Sequence, residues 1–115
     1  MFSDGNNKVL ELSDGNFKDF LMSDYKVAVV DFWADWCGPC RKLSPILDEI
    51  AKQDDIIANN VIVGKLNVDE SSLVSSSYNI RSLPTIVIFK DEKEIERITG
   101  LCSKEELLNR INKYL

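Results

Sequence analysis

The chain contains no histidine, and that absence removes more chemistry than any other feature of its composition. Without an imidazole, no Cys–His or Ser–His nucleophilic pair can form within it. Cysteine is scarce as well. A structural zinc site draws on four Cys or His ligands, and Cys37, Cys40 and Cys102 are the only three available. Only a carboxylate could complete a mixed site, so no metal is expected. An odd count of thiols also argues against a framework of structural disulfides. Glycine is limited to five scattered residues, which leaves no Gly-rich dinucleotide fingerprint and no nucleotide cofactor bound by the chain itself.

Positive charge is in deficit too, with 14 Lys and Arg against 19 Asp and Glu, a net charge of −5. Nucleic-acid binding needs a basic patch to displace counterions, and anionic membranes attract polybasic segments, so neither partner is expected. No apolar run approaches the roughly 20 residues of a membrane helix. Met1-Phe-Ser-Asp-Gly-Asn-Asn7 has no basic region leading into an apolar core, which predicts no secretory signal and a cytoplasmic location, where thiols are kept reduced. The remaining composition, 44% hydrophobic and 29% charged over 115 residues, is ordinary for a globular protein. It predicts one domain over 1–115, with 1–8 a short flexible N-terminus.

Local patterns predict the elements. Val9-Leu-Glu-Leu12 reads as a short strand, and Ser13 or Asp14 as the cap of a helix that aligns Phe17, Phe20 and Leu21. Val27 to Trp33 and Val61 to Val68 are nearly continuous apolar runs, suited to strands covered on both faces. From Gly38 to about Gln53, Leu43, Ile46, Leu47, Ile50 and Ala51 recur at helical spacing, with Pro45 removing one donor and predicting a kink. A serine-rich helix surrounds Leu73. Thr85–Lys90 and Glu94–Thr99 read as a hairpin whose turn lacks the usual glycine, so that Asp91 takes the left-handed conformation or the turn lengthens. Ser103-Lys-Glu-Glu106 has capping-box spacing ahead of a last helix carrying Leu107, Leu108 and Ile111. The order β-α-β-α-β-α-β-β-α predicts an α/β fold with one mixed sheet and helices on both faces.

Trp36-Cys37-Gly38-Pro39-Cys40 stands where the second strand gives way to the long helix. Unpaired N–H groups and the positive end of the helix dipole favour an anion there, and the thiolate is the nucleophile of disulfide exchange. Pro39 suits the first turn, and Gly38 leaves room for a partner chain to approach Cys37. Cys40, one turn in, is expected to be less exposed. Asp31 interrupts an apolar strand, where a charge needs a partner or a proton.

The segment Asp31-Phe-Trp-Ala-Asp-Trp-Cys-Gly-Pro-Cys-Arg41 resembles the active-site segment of the thioredoxin family. Lys65-Leu-Asn-Val-Asp69, Arg81-Ser-Leu-Pro-Thr85, Phe89-Lys90 and Gly100 recur at matching intervals, so the likeness runs from about Val9 to Leu115. The resemblance implies a thioredoxin fold, a central mixed five-stranded sheet flanked by four helices. It implies protein-disulfide reduction through a redox-active Cys37–Cys40 disulfide, with Cys37 attacking and Cys40 resolving. It implies that Asp31 lies beneath Cys40 and moves its proton, that Lys65 pairs with Asp31, and that Pro84 is cis opposite the cysteines. Leu83 would then offer its backbone to an extended substrate, within an apolar patch of Trp36, Pro39, Leu83, Gly100 and Leu101. Trp33 is expected in the core, with Asp69 as the acceptor for its indole N–H. The implied partners are disulfide-containing target proteins and a flavin-containing, NADPH-dependent thioredoxin reductase, with the chain a monomer.

Two features stand apart from that pattern. The connection Asp54-Asp-Ile-Ile-Ala-Asn-Asn60 is a few residues longer than is common. Cys102, after Gly100-Leu101, reads either as a small half-buried residue before a helix cap or as a thiol open to glutathionylation, intermolecular pairing or oxidative gating. A binding module, and an oxidase or isomerase of the same fold, are the other classes available to such a chain. The intact cysteine pair, Asp31 and Pro84 disfavour the first, and the Gly38-Pro39 dipeptide disfavours the second.

Overall fold

Residues 27–33 and 61–67 are buried at nearly every position, and they form the central strand of a five-stranded sheet and one of its two inner neighbours. In the computed structural model, which describes residues 7–115, the elements run β1 (Val9–Leu12), α1 (Phe17–Leu21), β2 (Val27–Trp33), α2 (Gly38–Ala51), α3 (Asp54–Ala58), β3 (Val61–Asn67), α4 (Ser72–Ser77), β4 (Thr85–Lys90), β5 (Lys93–Thr99) and α5 (Lys104–Asn112). Most of the expected flexible N-terminus, 1–8, lies outside the described residues. The strand order is β1-β3-β2-β4-β5. β1, β3 and β2 are parallel, and β4 is antiparallel to both β2 and β5.

Alternation along the strands divides the core in two. Val27, Val29, Val61, Val63, Ile86 and Ile88 face Leu43, Leu47 and Ile50 of α2, Ile56 of α3, and Leu107 and Ile111 of α5. Ala28, Val30, Phe32, Ile62, Leu66, Val87 and Phe89 face Phe17, Phe20 and Leu21 of α1 and the region of α4. Helix α2 continues through Pro45. Asp31 shares the face of Val27 and Val29, so the one charged residue of β2 points at α2.

Two expectations change, and the hairpin turn takes the first of its two expected forms. Five helices flank the sheet among the described residues, not four, because the long connection before β3 coils into α3 and buries Ile56. Neither Ser13 nor Asp14 caps α1, whose N-cap is Asn16. Asp14 instead accepts hydrogen bonds from the backbone N–H groups of Leu73 (3.2 Å) and Val74 (2.9 Å), and its own N–H donates to Ser71 Oγ at 3.2 Å. It thereby satisfies free donors of α4 from nearly 60 residues away in sequence. The hairpin turn is short, with both Asp91 (φ 52°) and Glu92 (φ 67°) left-handed. The Glu92 N–H donates to Tyr25 Oη, and Tyr25 Oη donates to the Leu21 carbonyl, so the turn is anchored on the end of α1.

The last helix keeps half of its capping box. Ser103 Oγ accepts from the Glu106 N–H at 3.0 Å, while the Glu106 carboxylate pairs with Arg110. Among the described residues no helix is long and apolar enough to cross a membrane.

Candidate active site

Cys37 is the N-cap of α2, with extended backbone (φ −90°, ψ 108°), and Pro39 lies in the first turn. That geometry aims the free N–H groups of the turn at the sulfur, and the Cys40 N–H donates to Cys37 Sγ at 3.2 Å. An anion at this position is favoured by both the donor and the helix dipole. Cys37 and Cys40 are joined as a disulfide with Cα atoms 5.3 Å apart. The expected difference in exposure is absent, since Cys37 is 4% and Cys40 3% accessible. Both sulfurs are shielded in the oxidised pair, and their surroundings distinguish them instead. Gly38 has nothing within 4 Å of where a Cβ would stand, so the open space there is on the outer side, free for another chain.

Behind Cys40 lies a cavity of about 80 Å³ lined by Asp31, Trp33, Cys40, Arg41, Ser44 and Lys65. Asp31 Oδ1 and Trp33 Nε1 are both buried without a hydrogen-bond partner. A space of this size admits water, and two unsatisfied polar atoms on its lining supply the partners that buried water needs. Burial pushes the Asp31 carboxyl up to about 7, with the Lys65 charge pulling in the opposite direction. At neutral pH the group therefore holds and releases a proton with comparable ease, within the same cavity as the Cys40 side chain.

Lys65 does not make the direct pair with Asp31 that its position suggested. The two stand in register on β3 and β2, but the Lys65 ammonium contacts Glu11 Oε1 of β1 at 3.6 Å and lies 5.3 Å from the centre of the Trp33 ring. Lys65 is only half-buried, so its charge remains partly solvated while Asp31 is deeply enclosed.

On the outer side, the Leu83–Pro84 peptide bond is cis, and the Pro84 carbonyl accepts from the Gly100 N–H at 2.8 Å. Gly100 has φ 85°, a conformation that glycine adopts without steric cost. Trp36 is 68% exposed and Leu101 48%; Pro39 is exposed, and Leu83 and Gly100 are half-buried. The expected role of Asp69 also changes. Its Oδ2 accepts from Trp36 Nε1 at 2.9 Å, so it steadies the exposed indole and leaves Trp33 unsatisfied. Trp36 and Leu83 share a groove with Val68, Ser75, Ile80 and Arg81. Sequence reasoning did not assign Val68, Ile80 or Arg81 to the site, although their closeness to the Asp69 and Pro84 segments was a usable signal. It also passed over Arg41 and Ser44 on the inner cavity, which spacings of four from Cys37 and Cys40 could have found.

Cys102 is 6% accessible and belongs to the core beneath α5. Desolvation pushes its thiol up, Glu106 adds to the rise, and the thiolate needed for oxidation chemistry is disfavoured. The structural reading of Cys102 is the one its surroundings support.

The thioredoxin family model matches residues 8–113. A thioredoxin of Chlamydia pneumoniae is 44% identical over 103 residues, covering 90% of this chain and 95% of that protein. Thioredoxin 1 of Synechococcus elongatus is 42% identical, covering 90% and 94%. A chloroplastic M-type thioredoxin of spinach is 39% identical across 98% of this chain, which spans 61% of that relative's length. Among solved structures, a mutant thioredoxin from Halobacterium salinarum superposes with a TM-score of 0.84 at 34% identity, covering 96% and 93% of the two chains.

Proposed function

The chain belongs to the thioredoxin family and is a protein-disulfide oxidoreductase working by dithiol–disulfide exchange, and from that premise we propose the following division of roles. In the reduced protein, the Cys37 thiolate attacks one sulfur of a target disulfide. A Cys37–target bond forms, and the target's other sulfur leaves as a thiolate. Cys40 gives its proton to Asp31, by way of water in the inner cavity, and attacks Cys37 Sγ. The mixed disulfide breaks, the target leaves with both sulfurs reduced, and the two electrons it gained are balanced by the new Cys37–Cys40 bond. Lys65 moderates the charge on Asp31. Gly38, Pro39 and Pro84 shape the approach to the sulfurs. Trp36, Leu83, Gly100 and Leu101 receive the target, and the Leu83 backbone, which has no hydrogen bond of its own among the described residues, pairs with it.

The observation that carries this reading is the asymmetry of the two thiols. Cys37 caps a helix, and Cys40 shares a cavity with a carboxyl poised near neutrality. Trapping tests it. Cys40→Ser should accumulate mixed disulfides with a target protein, while Cys37→Ser should accumulate none. The opposite pattern would reverse the assignment.

In the same reading the chain acts as one domain and as a monomer, and needs no bound cofactor beyond its own disulfide. It is returned to the dithiol by a flavoprotein reductase that draws on NADPH. Its working compartment is reducing, and the cytoplasm is the compartment assigned, on the strength of the dithiol chemistry and the Gly38-Pro39 dipeptide.

A further inference from the structure

Three charged residues stand side by side across the sheet. Glu11 of β1 is in register with Lys65 of β3, and Lys65 is in register with Asp31 of β2. Residues in register on adjacent strands project from the same face, so the three form one row of carboxylate, ammonium and carboxyl running from the sheet edge to the floor of the cavity. The ends of the row differ sharply. The Glu11 side chain is 83% exposed, whereas Asp31 is 2% accessible.

The cation in the middle can serve either neighbour, and its position follows from what each offers. Its ammonium lies 3.6 Å from Glu11 and over the Trp33 ring at 5.3 Å, at the half-solvated side of the row. There it keeps much of its hydration, which a lysine gives up reluctantly. Asp31 is left with an oxygen that has no partner. The other groups around Asp31 do not replace the cation. Cys40 and Ser44 of α2 line the cavity, Arg41 beside them donates from its guanidinium to the Asp35 carbonyl at 2.7 Å, Ile86 of β4 is the apolar residue in register, and Cys102 ahead of α5 is a thiol whose ionisation Asp31 opposes.

We propose that Glu11 is a positioning residue for the exchange reaction. By holding the Lys65 ammonium toward β1, it sets how weakly that cation favours ionised Asp31, and so keeps the Asp31 carboxyl a competent acceptor for the Cys40 proton near neutral pH. This rests on the role given to Asp31 above. Replacing Glu11 with a neutral residue releases Lys65 toward Asp31, and Asp31 then loses its proton at lower pH. Glu11 is exposed on an edge strand, so its replacement leaves the core intact.

The test follows the Asp31 carboxyl directly by carbon-detected NMR titration of the oxidised protein, in wild type, Glu11→Gln, Lys65→Met and the double variant. Glu11→Gln should weaken proton binding at Asp31 about threefold, as expected for moving one charge in a partly solvated setting. Glu11→Asp should behave more like wild type than Glu11→Gln does. In the Lys65→Met background the Glu11→Gln change should vanish, because the effect travels through the ammonium. An unmoved titration in Glu11→Gln overturns the proposal, and so does a shift of the same size in the Lys65→Met background. The pH profile of disulfide reduction by the four proteins separates the two levels of the argument. Profiles that follow the NMR midpoints support both. Midpoints that move while the profiles stay fixed uphold the link from Glu11 to Asp31 and reject Asp31 as the proton acceptor.

Discussion

Asp31 and Glu96 are carboxyl-bearing residues on the same face of one sheet, the first beneath α2 and the second beneath α5. Each has one buried oxygen without a hydrogen-bond partner. Glu96, however, holds Arg110 at 3.3 Å and Lys113 at 2.9 Å through its other oxygen. Two cations offset its desolvation and tie α5 to β5. Lys65 is the one cation whose charge acts on the Asp31 carboxyl, and its ammonium contacts Glu11 instead. A carboxyl compensated in this way is a fastener, and one left short of charge is pushed up to about 7. The contrast also locates the cost, since the region that does chemistry is the one that gives up stability.

Asp31→Asn should show the largest effect and would break the comparison if it failed. Raising the carboxyl from 3.8 to about 7 makes the folded state hold a proton that the unfolded chain has already released. Stability therefore falls as pH rises from about 4 to about 7, by about 4 kcal/mol in total at about 1.4 kcal/mol per pH unit. The amide should recover most of this in urea denaturation at pH 8 and little at pH 4, while slowing disulfide reduction. Equal gains at both pH values would mean that the charge is not the cause.

Asp14 extends the comparison to a carboxylate stabilised by backbone donors. Asp14→Ala should cost about 0.5–2 kcal/mol, the range for loss of a helix cap. The Leu73 and Val74 amides should exchange hydrogen faster, and unchanged protection there would show that α4 does not depend on this contact. Glu96→Gln should cost about 1 kcal/mol, because Arg110 and Lys113 are partly exposed and solvent screens the pair. Its pH–rate profile should overlay that of the wild type. A displaced profile would mean that the two regions are not separate. The smallest effect is expected in the turn between β4 and β5. Glu92→Gly should gain about 0.5 kcal/mol by relieving a left-handed non-glycine residue, read as a small rise in the urea midpoint.

Most of the architecture was legible in the chain because it follows from spacing. The apolar runs of β2 and β3, the helical recurrence of Leu43, Leu47 and Ile50, and the Ser103 cap are local patterns that the structure keeps. The helix α3 was missed because five residues with one buried side chain, Ile56, carry too little periodicity to stand out. Within the site, the structure joins Cys37 to Cys40, buries Asp31, makes the Leu83–Pro84 bond cis and leaves Trp36 exposed. What went astray was partnership. Asp69 went to Trp36, Lys65 to Glu11, and Asp14 to the start of α4.

The sequence by itself determined the chemistry. With no histidine and a thiol pair at a helix start, the residues available at those spacings suit disulfide exchange and little else. The tertiary structure decided which charge meets which, because a strand's neighbours come from distant parts of the chain and no local spacing records them. It also decided that Asp31 is enclosed while Glu11 is open to water, and that enclosure is what pushes the Asp31 carboxyl up to about 7 beside the Cys37–Cys40 pair.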